Sequence, residues 1–431
     1  MLNLNTKLKQ LQENGKIIKL GLVGAGQMGK GMVSQVMSMK GMTPAIVVDV
    51  NVDNAVEAYT LAGIRKEDIV VSSTLSEINV AIEQGKFVAC PDSDIPAQCN
   101  LVDVVVDATG VPDVGAKVAI DSIMNKKHIV MLNVETDVVI GPILKKLADN
   151  AGVIYSGSAG DEPGAVKEIY DFADAMGMDI VAIGKGKNNP VVLGCNPDTV
   201  YEQAIKSGVS PKMLTAFKDG TKTMVEMTAM ANATGFLPDV RGGHAVCASV
   251  NELPGLFQLK ENGGILNNTK IVDYVNGVAP GVFVIITTDL PQIHHEMQYL
   301  SMGSGPNYVL FRPYHLCSLE TPLTAARAVI YNEPSIVPLP GAPSAETITL
   351  AKKDLQAGDM LDGIGGYTVY GSFEKYDIAK AEKAVPLGLI TKKTKLLTPK
   401  KPGEVITYDD IELDKSTLIY KLRELQETII G

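Results

Sequence analysis

The chain has 431 residues, 45% of them hydrophobic and 20% charged, with a formal net charge of −10. That length exceeds what one core holds and predicts two or three domains, and the composition excludes a disordered chain. The acidic balance, with no dense basic cluster, excludes a nucleic-acid backbone as partner.

The five cysteines (Cys90, Cys99, Cys195, Cys247, Cys317) are odd in number and form no CxxC pair. They predict reduced, buried thiols rather than a disulfide frame or a zinc site. No apolar run is long enough to span a bilayer, and the first sixteen residues lack a cationic segment followed by an apolar one. A cytoplasmic protein with no membrane partner is therefore predicted.

Leu4, Leu8 and Leu11 recur at helical spacing, and Gly15 ends that helix. An apolar run over 17–23 reads as a buried parallel strand. It leads into Gly24-Ala25-Gly26-Gln27-Met28-Gly29 and then a Met/Val-rich helix. In such a motif the first glycine makes a tight turn, the second lets backbone approach a pyrophosphate, and the third packs helix on strand. The helix N-terminus offers unpaired N–H groups to phosphate. A second strand, 45–49, ends in Asp49, 20 residues past Gly29. This carboxylate suits the ribose hydroxyls of NAD and would repel the 2′-phosphate of NADP; its alternative is a cap on the helix beginning near Asp53. Asn51 stands where an NADP enzyme often carries Arg.

Further strands are predicted at 69–72, 87–90, 102–107, 128–132 and 152–155, with helices at 53–61, 75–83, 113–125 and 138–149 between them. The alternation predicts an α/β fold with a doubly wound parallel sheet, its ligand at the carboxyl ends of the strands. Asp107-Ala108-Thr109-Gly110 and Asn133-Val134-Glu135-Thr136-Asp137 end two strands on that edge. Asp107, Ala108, Thr109 and Asn133 join the candidate cofactor residues.

Three domains are expected: a dinucleotide-binding domain over 1–155, an α+β substrate domain over 156–343, and a small β-rich domain over 344–431. In the second, Asp161-Glu162-Pro163-Gly164 opens a helix to about 176, and a strand over 179–184 leads into a polar loop with Lys185 and Lys187. A helix carries Met224, Met227, Met230 and Glu226, with strands at 281–287 and 307–311 and a helix over 322–331 following. In the third, residues 351–361 and 398–406 repeat one pattern of strand, basic turn, Gly plus acid, and apolar strand. The helix over 417–429 shows a stripe of Leu418, Leu422, Leu425 and Ile429 that needs a partner, its own domain or another subunit, and a homo-oligomer is expected.

The glycine motif and the Asp107–Gly110 turn resemble the homoserine-dehydrogenase-like oxidoreductases, and the doubled Gly-acid pattern resembles an SAF domain. Together with Leu132-Asn-Val-Glu-Thr-Asp137, Gly160-Asp-Glu-Pro-Gly164, Arg312-Pro-Tyr-His-Leu316 and Asp362-Gly-Ile-Gly-Gly-Tyr-Thr-Val-Tyr370, the chain resembles the 1-deoxy-D-xylulose 5-phosphate reductoisomerase-like (DRL) family. The resemblance implies an NAD(P)-dependent oxidoreductase acting on the CH–OH of a sugar-derived substrate, a phosphate or a branched acid such as apionate, with migration of a carbon–carbon bond. Homoserine itself is disfavoured, because that enzyme usually runs Asn-Lys where this chain has Asn133-Val134. The rivals are a dehydrogenase without rearrangement, and a non-catalytic sensor of nucleotide or sugar.

That chemistry needs a group to take a proton from a hydroxyl and a cation to hold the developing oxyanion. Asp161 and Glu162 are candidates as catalytic carboxylates or ligands of Mg²⁺ or Mn²⁺, and also as a helix N-terminus. Lys185 and Lys187 are candidates by analogy with lysines in homoserine-dehydrogenase-like clefts, and also as a solvated loop. Glu226 is a candidate, or one half of an i,i+4 pair with Lys222 on a solvent face. Arg312 is a candidate clamp for phosphate or carboxylate, with His315 beside it.

Overall fold

A computed structural model describes residues 3–431, which form two compact units. The first contains residues up to Asp161 together with Leu316–Val337 and Thr417–Gly431; the second contains Glu162–His315 and Pro338–Ser416. Both are thus assembled from separated stretches, where sequence texture suggests three segments in succession. Texture reports local structure, whereas packing also depends on where the chain returns.

In the first unit, β1 (Ile18–Val23), β2 (Met42–Val48), β3 (Ile69–Val71), β4 (Phe87–Cys90), β5 (Val104–Asp107), β6 (His128–Met131) and β7 (Tyr155–Gly157) form one sheet. Its order is β3-β4-β2-β1-β5-β6-β7, and every pairing is parallel. The expected doubly wound α/β fold is present. The order reverses between β1 and β5, so the glycine loop after β1 lies at the switch point, where such sheets bind ligands. Leu20, Leu22, Val104, Val106 and Val130 form the core with Met32, Val33 and Val36 of the helix Gln27–Ser38, and Ala325 and Ala326 of the helix Cys317–Tyr331 join them.

The last helix, Leu418–Ile429, finds its partner within this unit. Its buried residues are Ile419, Leu422, Arg423 and Gln426, so the buried face is rotated from the expected stripe; Leu425 and Ile429 are exposed. The reason lies in the helix Val134–Ala151, which contains Pro142. A proline there disrupts the helical ladder next to it. The Val139 carbonyl accepts from Arg423 Nη1 (3.1 Å) and Gln426 Nε2 (3.2 Å), while Ile143 N donates to Gln426 Oε1 (3.2 Å). One glutamine therefore satisfies both sides of the broken ladder. Gln426→Leu is expected to lower unfolding free energy by about 1–3 kcal/mol, because it leaves a buried N–H unpaired. A urea denaturation curve matching the parent would refute that role.

The second unit holds β8 (Asp179–Lys187), β9 (Leu237–Pro238), β10 (Val246–Cys247), β11 (Ile271–Asn276), β12 (Val282–Thr287) and β13 (Tyr308–Arg312). The sheet order is β10-β11-β8-β12-β13, with β9 on β11. β8 pairs parallel to β11 and antiparallel to β12. One apolar cluster joins Ile183 and Val284 to Met224, Met227 and Met230 of the helix Thr221–Thr234; the other joins Val275 and Phe283 to Phe257 and Leu266. A two-stranded ribbon, β14 (Ala345–Ala351) with β15 (Val369–Lys375), packs on that helix. Thr228 and Thr347 hydroxyls meet at 2.7 Å, and Gly371 N donates to Thr221 Oγ1 at 2.9 Å. The two repeated stretches face each other, with a bridge at Leu355–Lys400 and Ala351 N donating to the Glu404 carbonyl at 3.0 Å.

Of the cysteines, Cys90, Cys99 and Cys195 are buried as expected. Cys247 is exposed at the end of the edge strand β10, and Cys317 is half-buried. No helix among the described residues is long and apolar enough to cross a membrane.

Candidate functional site

The glycine loop has the geometry its sequence requires. Gly24 has φ 102°, and a Cβ on it would meet the Ala108 carbonyl at 2.8 Å; one on Gly29 would lie 2.0 Å from the Gly24 oxygen. Gly26 differs: it is exposed, precedes the helix Gln27–Ser38, and has nothing within 4 Å of its Cβ position. The first and third glycines are thus demanded by the protein itself. The second keeps open a space that any side chain would fill, at a helix N-terminus suited to an anion. Gln27 beside it is exposed, Met28 is half-buried, and Ala25 is buried.

Asp49 Oδ2 accepts from Ala25 N at 2.9 Å, and Oδ1 accepts from Asn51 N (3.0 Å) and Asn54 Nδ2 (3.2 Å). The helix Val52–Leu61 is capped by Asn51, whose side chain accepts from Asp53 N. Asp49 is therefore free of the capping task and locked to the glycine loop.

Asp107 and Asn133 are both fully buried. Asp107 Oδ1 accepts from Thr109 N (2.9 Å) and Thr109 Oγ1 (2.7 Å), and Oδ2 accepts from Asn133 Nδ2 (2.9 Å). Burial pushes the Asp107 carboxyl up to about 6 against these hydrogen bonds. The pair shapes the loop of Ala108, Thr109 and Gly110 from beneath, and any ligand of this edge meets that loop before it meets them.

In the second unit the polar loop expected at Lys185–Lys187 is instead the end of β8, paired on both sides. The run Gly184-Lys185-Gly186-Lys187 alternates with the pleat. A Cβ on Gly184 would meet the Asp273 oxygen at 2.1 Å, and one on Gly186 would meet Ala279 N at 2.3 Å. One face is too crowded for side chains, and both lysines take the other, the face of Ile183 and the methionine cluster.

Lys185 Nζ lies 2.6 Å from Glu162 Oε1 and also pairs with Glu226, whose side chain is 2% exposed. Glu226 is thus buried against Lys185 and not on a solvent face as expected, and the charge of Lys222 acts on it as well. Burial disfavours the Lys185 charge, yet the two carboxylates outweigh it and raise its pKa. Burial and the charge of Glu162 raise the Glu226 carboxyl. Lys187 differs: its Nζ donates to the Phe217 carbonyl at 2.8 Å, and burial together with Lys185 lowers its pKa. The two lysines are therefore shifted in opposite directions, Lys185 up and Lys187 down.

Glu162 opens the helix Glu162–Ala175, and His315 Nε2 lies 3.4 Å from its Oε1. Asp161, buried, ends the first unit's opening stretch immediately before it. Arg312 pairs with Glu168 at 3.2 Å and stacks on Tyr314 at 4.6 Å. The structure therefore brings Glu162, Lys185, Glu226 and His315 together, with Lys187 on the same strand face. Sequence reasoning missed one more pair: Lys352 and Asp219 bond at 2.7 Å with side chains 2% and 0% exposed. They stand 133 positions apart, and no local pattern links them.

No curated protein matches the chain. Among solved structures, a Thermotoga maritima protein described as a probable dehydrogenase is 14% identical, over 74% of this chain and 90% of that one, with a TM-score of 0.41. A scyllo-inositol dehydrogenase from Lactobacillus casei, with bound NAD(H) and scyllo-inositol, is 14% identical over 69% and 76%, with a TM-score of 0.37. A myo-inositol dehydrogenase from Corynebacterium glutamicum is 10% identical over 63% and 73%, with a TM-score of 0.36. Residues 160–321, which carry the lysine–carboxylate cluster, match the family model described as "Oxidoreductase DRL, catalytic domain". That stretch of the chain is similar to the catalytic domain of the DRL oxidoreductases.

Proposed function

We propose that the protein is a nicotinamide-dependent oxidoreductase that prefers NAD to NADP and acts as a reductoisomerase or oxidoisomerase on a small sugar-derived substrate. The observation that carries this reading is the contrast between Lys185 and Lys187 on one strand face: a cation held by Glu162 and Glu226, beside an amine that donates to the Phe217 carbonyl and whose pKa burial and Lys185 lower. Alcohol oxidation and carbon–carbon migration both remove a hydroxyl proton and build negative charge on oxygen. Lys187 takes the proton-transfer role and Lys185 holds the oxyanion. Glu162 and Glu226 keep Lys185 charged and oriented, and His315 and Arg312 bind the substrate's polar groups.

The residues of the first unit fit the cofactor. The open space at Gly26 admits a pyrophosphate, and Asp49 faces the ribose hydroxyls; a bound nicotinamide supplies or accepts the hydride. Gln27, Met28 and Ala25 complete the phosphate turn, and the loop from Ala108 to Gly110, shaped by Asp107 and Asn133, supports the nicotinamide half. Asp161, Glu162 and His315 are donor types that Mg²⁺ or Mn²⁺ accepts. Glu162 pairs with the Lys185 ammonium at 2.6 Å, which supplies positive charge beside these donors. The likeness of the C-terminal region to an SAF domain, and assembly as a homo-oligomer, belong to the same proposal.

The test is a cofactor-reduction screen against sugar acids, polyols and their phosphates, with product mass and NMR to reveal rearrangement. Binding of NAD without turnover of any of them would favour a sensor. Asp49→Ala is expected to reduce the preference for NADH over NADPH about tenfold or more, read by fluorescence titration. Wild-type protein that binds NADPH more tightly than NADH would overturn the assignment of Asp49.

A further inference from the structure

Lys352 and Asp219 form an ion pair as buried as any in the second unit, yet neither faces solvent or belongs to the lysine–carboxylate cluster. Lys352 follows β14 directly and also donates to the Gly366 carbonyl at 2.8 Å; Asp219 Oδ1 accepts from Thr221 N at 2.9 Å, at the start of the helix that carries Glu226. Two residues before Asp219, the Phe217 carbonyl receives the Lys187 amine. The last turn of the helix Pro211–Lys218 therefore holds the amine by the Phe217 carbonyl, and Asp219, which ends that helix, presents a buried carboxylate that Lys352 pairs with.

We propose that Lys352 is a positioning residue for Lys187: by neutralising Asp219 and fixing the 217–219 turn, it governs the proton affinity of that amine. The inference rests on the reading of Lys187 as the proton-transfer group, and it explains why a lysine from the C-terminal stretch is buried beside the domain that matches the catalytic model. The charged and titratable groups that act on Lys187 are Lys185 on its own strand, Glu226 on the facing helix, Asp219 in the turn and Cys195 in the following loop. Lys185 opposes its charge, whereas Glu226, Asp219 and Cys195 favour it. Lys352 is the cation that bonds Asp219 directly, so the strength of Asp219's pull depends on it.

Opposite substitutions make this testable. Lys352→Met leaves Asp219 uncompensated, makes the surroundings of Lys187 more negative, and raises its titration midpoint by about one pH unit. Asp219→Asn leaves Lys352 uncompensated and moves the midpoint down. The double variant, Lys352→Met with Asp219→Asn, returns it toward the parent value.

The readout is the ¹³Cε shift of Lys187 against pH in the full chain labelled with ¹³C-lysine, identified by its absence in Lys187→Arg. It needs no substrate, so it stands whether or not the proposed reaction is correct. The functional reading fails separately, if Lys187→Met keeps turnover. Should Lys352→Met not fold, the downward shift in Asp219→Asn and its reversal in the double variant carry the proposal. A wild-type midpoint at the ordinary lysine value, or shifts in the same direction for both single variants, would overturn it. A purely structural pair would lower thermal stability in both and leave the Lys187 midpoint in place.

Discussion

Lys187→Met is expected to reduce turnover by about 10²–10⁴-fold, the usual contribution of a positioned acid–base group, while NADH affinity stays within about twofold. The separation follows from the proposed roles: the amine on β8 acts on the substrate hydroxyl, and the glycine turn after β1 holds the cofactor. Lys187→Arg is expected to fail nearly as badly, because a guanidinium keeps its proton at any working pH. The pH dependence has a definite sign. In the direction of alcohol oxidation the neutral amine is the active form, so the rate rises with pH and levels off at a midpoint below that of an ordinary lysine. Lys185, whose pKa its two carboxylates raise, contributes no limb in that range. Steady-state kinetics with the substrate found in the screen checks both points. Full activity in Lys187→Met would remove the lysine from the chemistry.

The parallel sheet and its glycine turn are legible in sequence because each of their signals is local. A strand, a glycine turn and a helix occupy residues 18–38, and the carboxylate that binds the turn follows the next strand. Even there, one assignment depends on the fold, since Asn51 and not Asp49 caps the helix Val52–Leu61. The lysine pair has a readable signal too. Ile183-Gly184-Lys185-Gly186-Lys187 alternates with period two, the pattern of a strand with one crowded face, but polar side chains make it look like a loop. Glu226 is not legible as buried, because its cation lies 41 positions away and a nearer lysine, Lys222, offers a local explanation. The rotated face of the terminal helix is hidden for a similar reason. Arg423 and Gln426 are buried there to mend a ladder broken by Pro142, a contact between stretches 287 residues apart. Local propensity fixes elements and turns; partners of buried charges are set by tertiary return of the chain.

Lys185→Met is expected to destabilise the fold more than Gln426→Leu or Glu226→Gln. Lys185 is 5% exposed and Glu226 2% exposed, so the substitution removes the bonded one of the two lysines, Lys185 and Lys222, whose charges act on a carboxylate in a place water does not reach. Removing one partner of a buried pair costs about 3–5 kcal/mol, more than the net worth of the pair itself. Glu226→Gln is milder, on the order of 1–2 kcal/mol, because Lys185 keeps Glu162 as partner at 2.6 Å. Combining Lys185→Met with Glu226→Gln recovers much of the loss, since the uncompensated buried charge is gone. The effect also has a pH signature. Without Lys185, burial and the charge of Glu162 raise Glu226 further above its unfolded value. A group raised in the folded state favours folding below its unfolded pKa, and that contribution is lost as pH rises through the folded one. The deficit of Lys185→Met is therefore larger at pH 8 than at pH 5. Urea unfolding of the parent, both single variants and the double variant at these two pH values measures it. A deficit below about 1 kcal/mol that is equal at both pH values would mean that Lys185 and Glu226 do not form the buried pair from which the site is built.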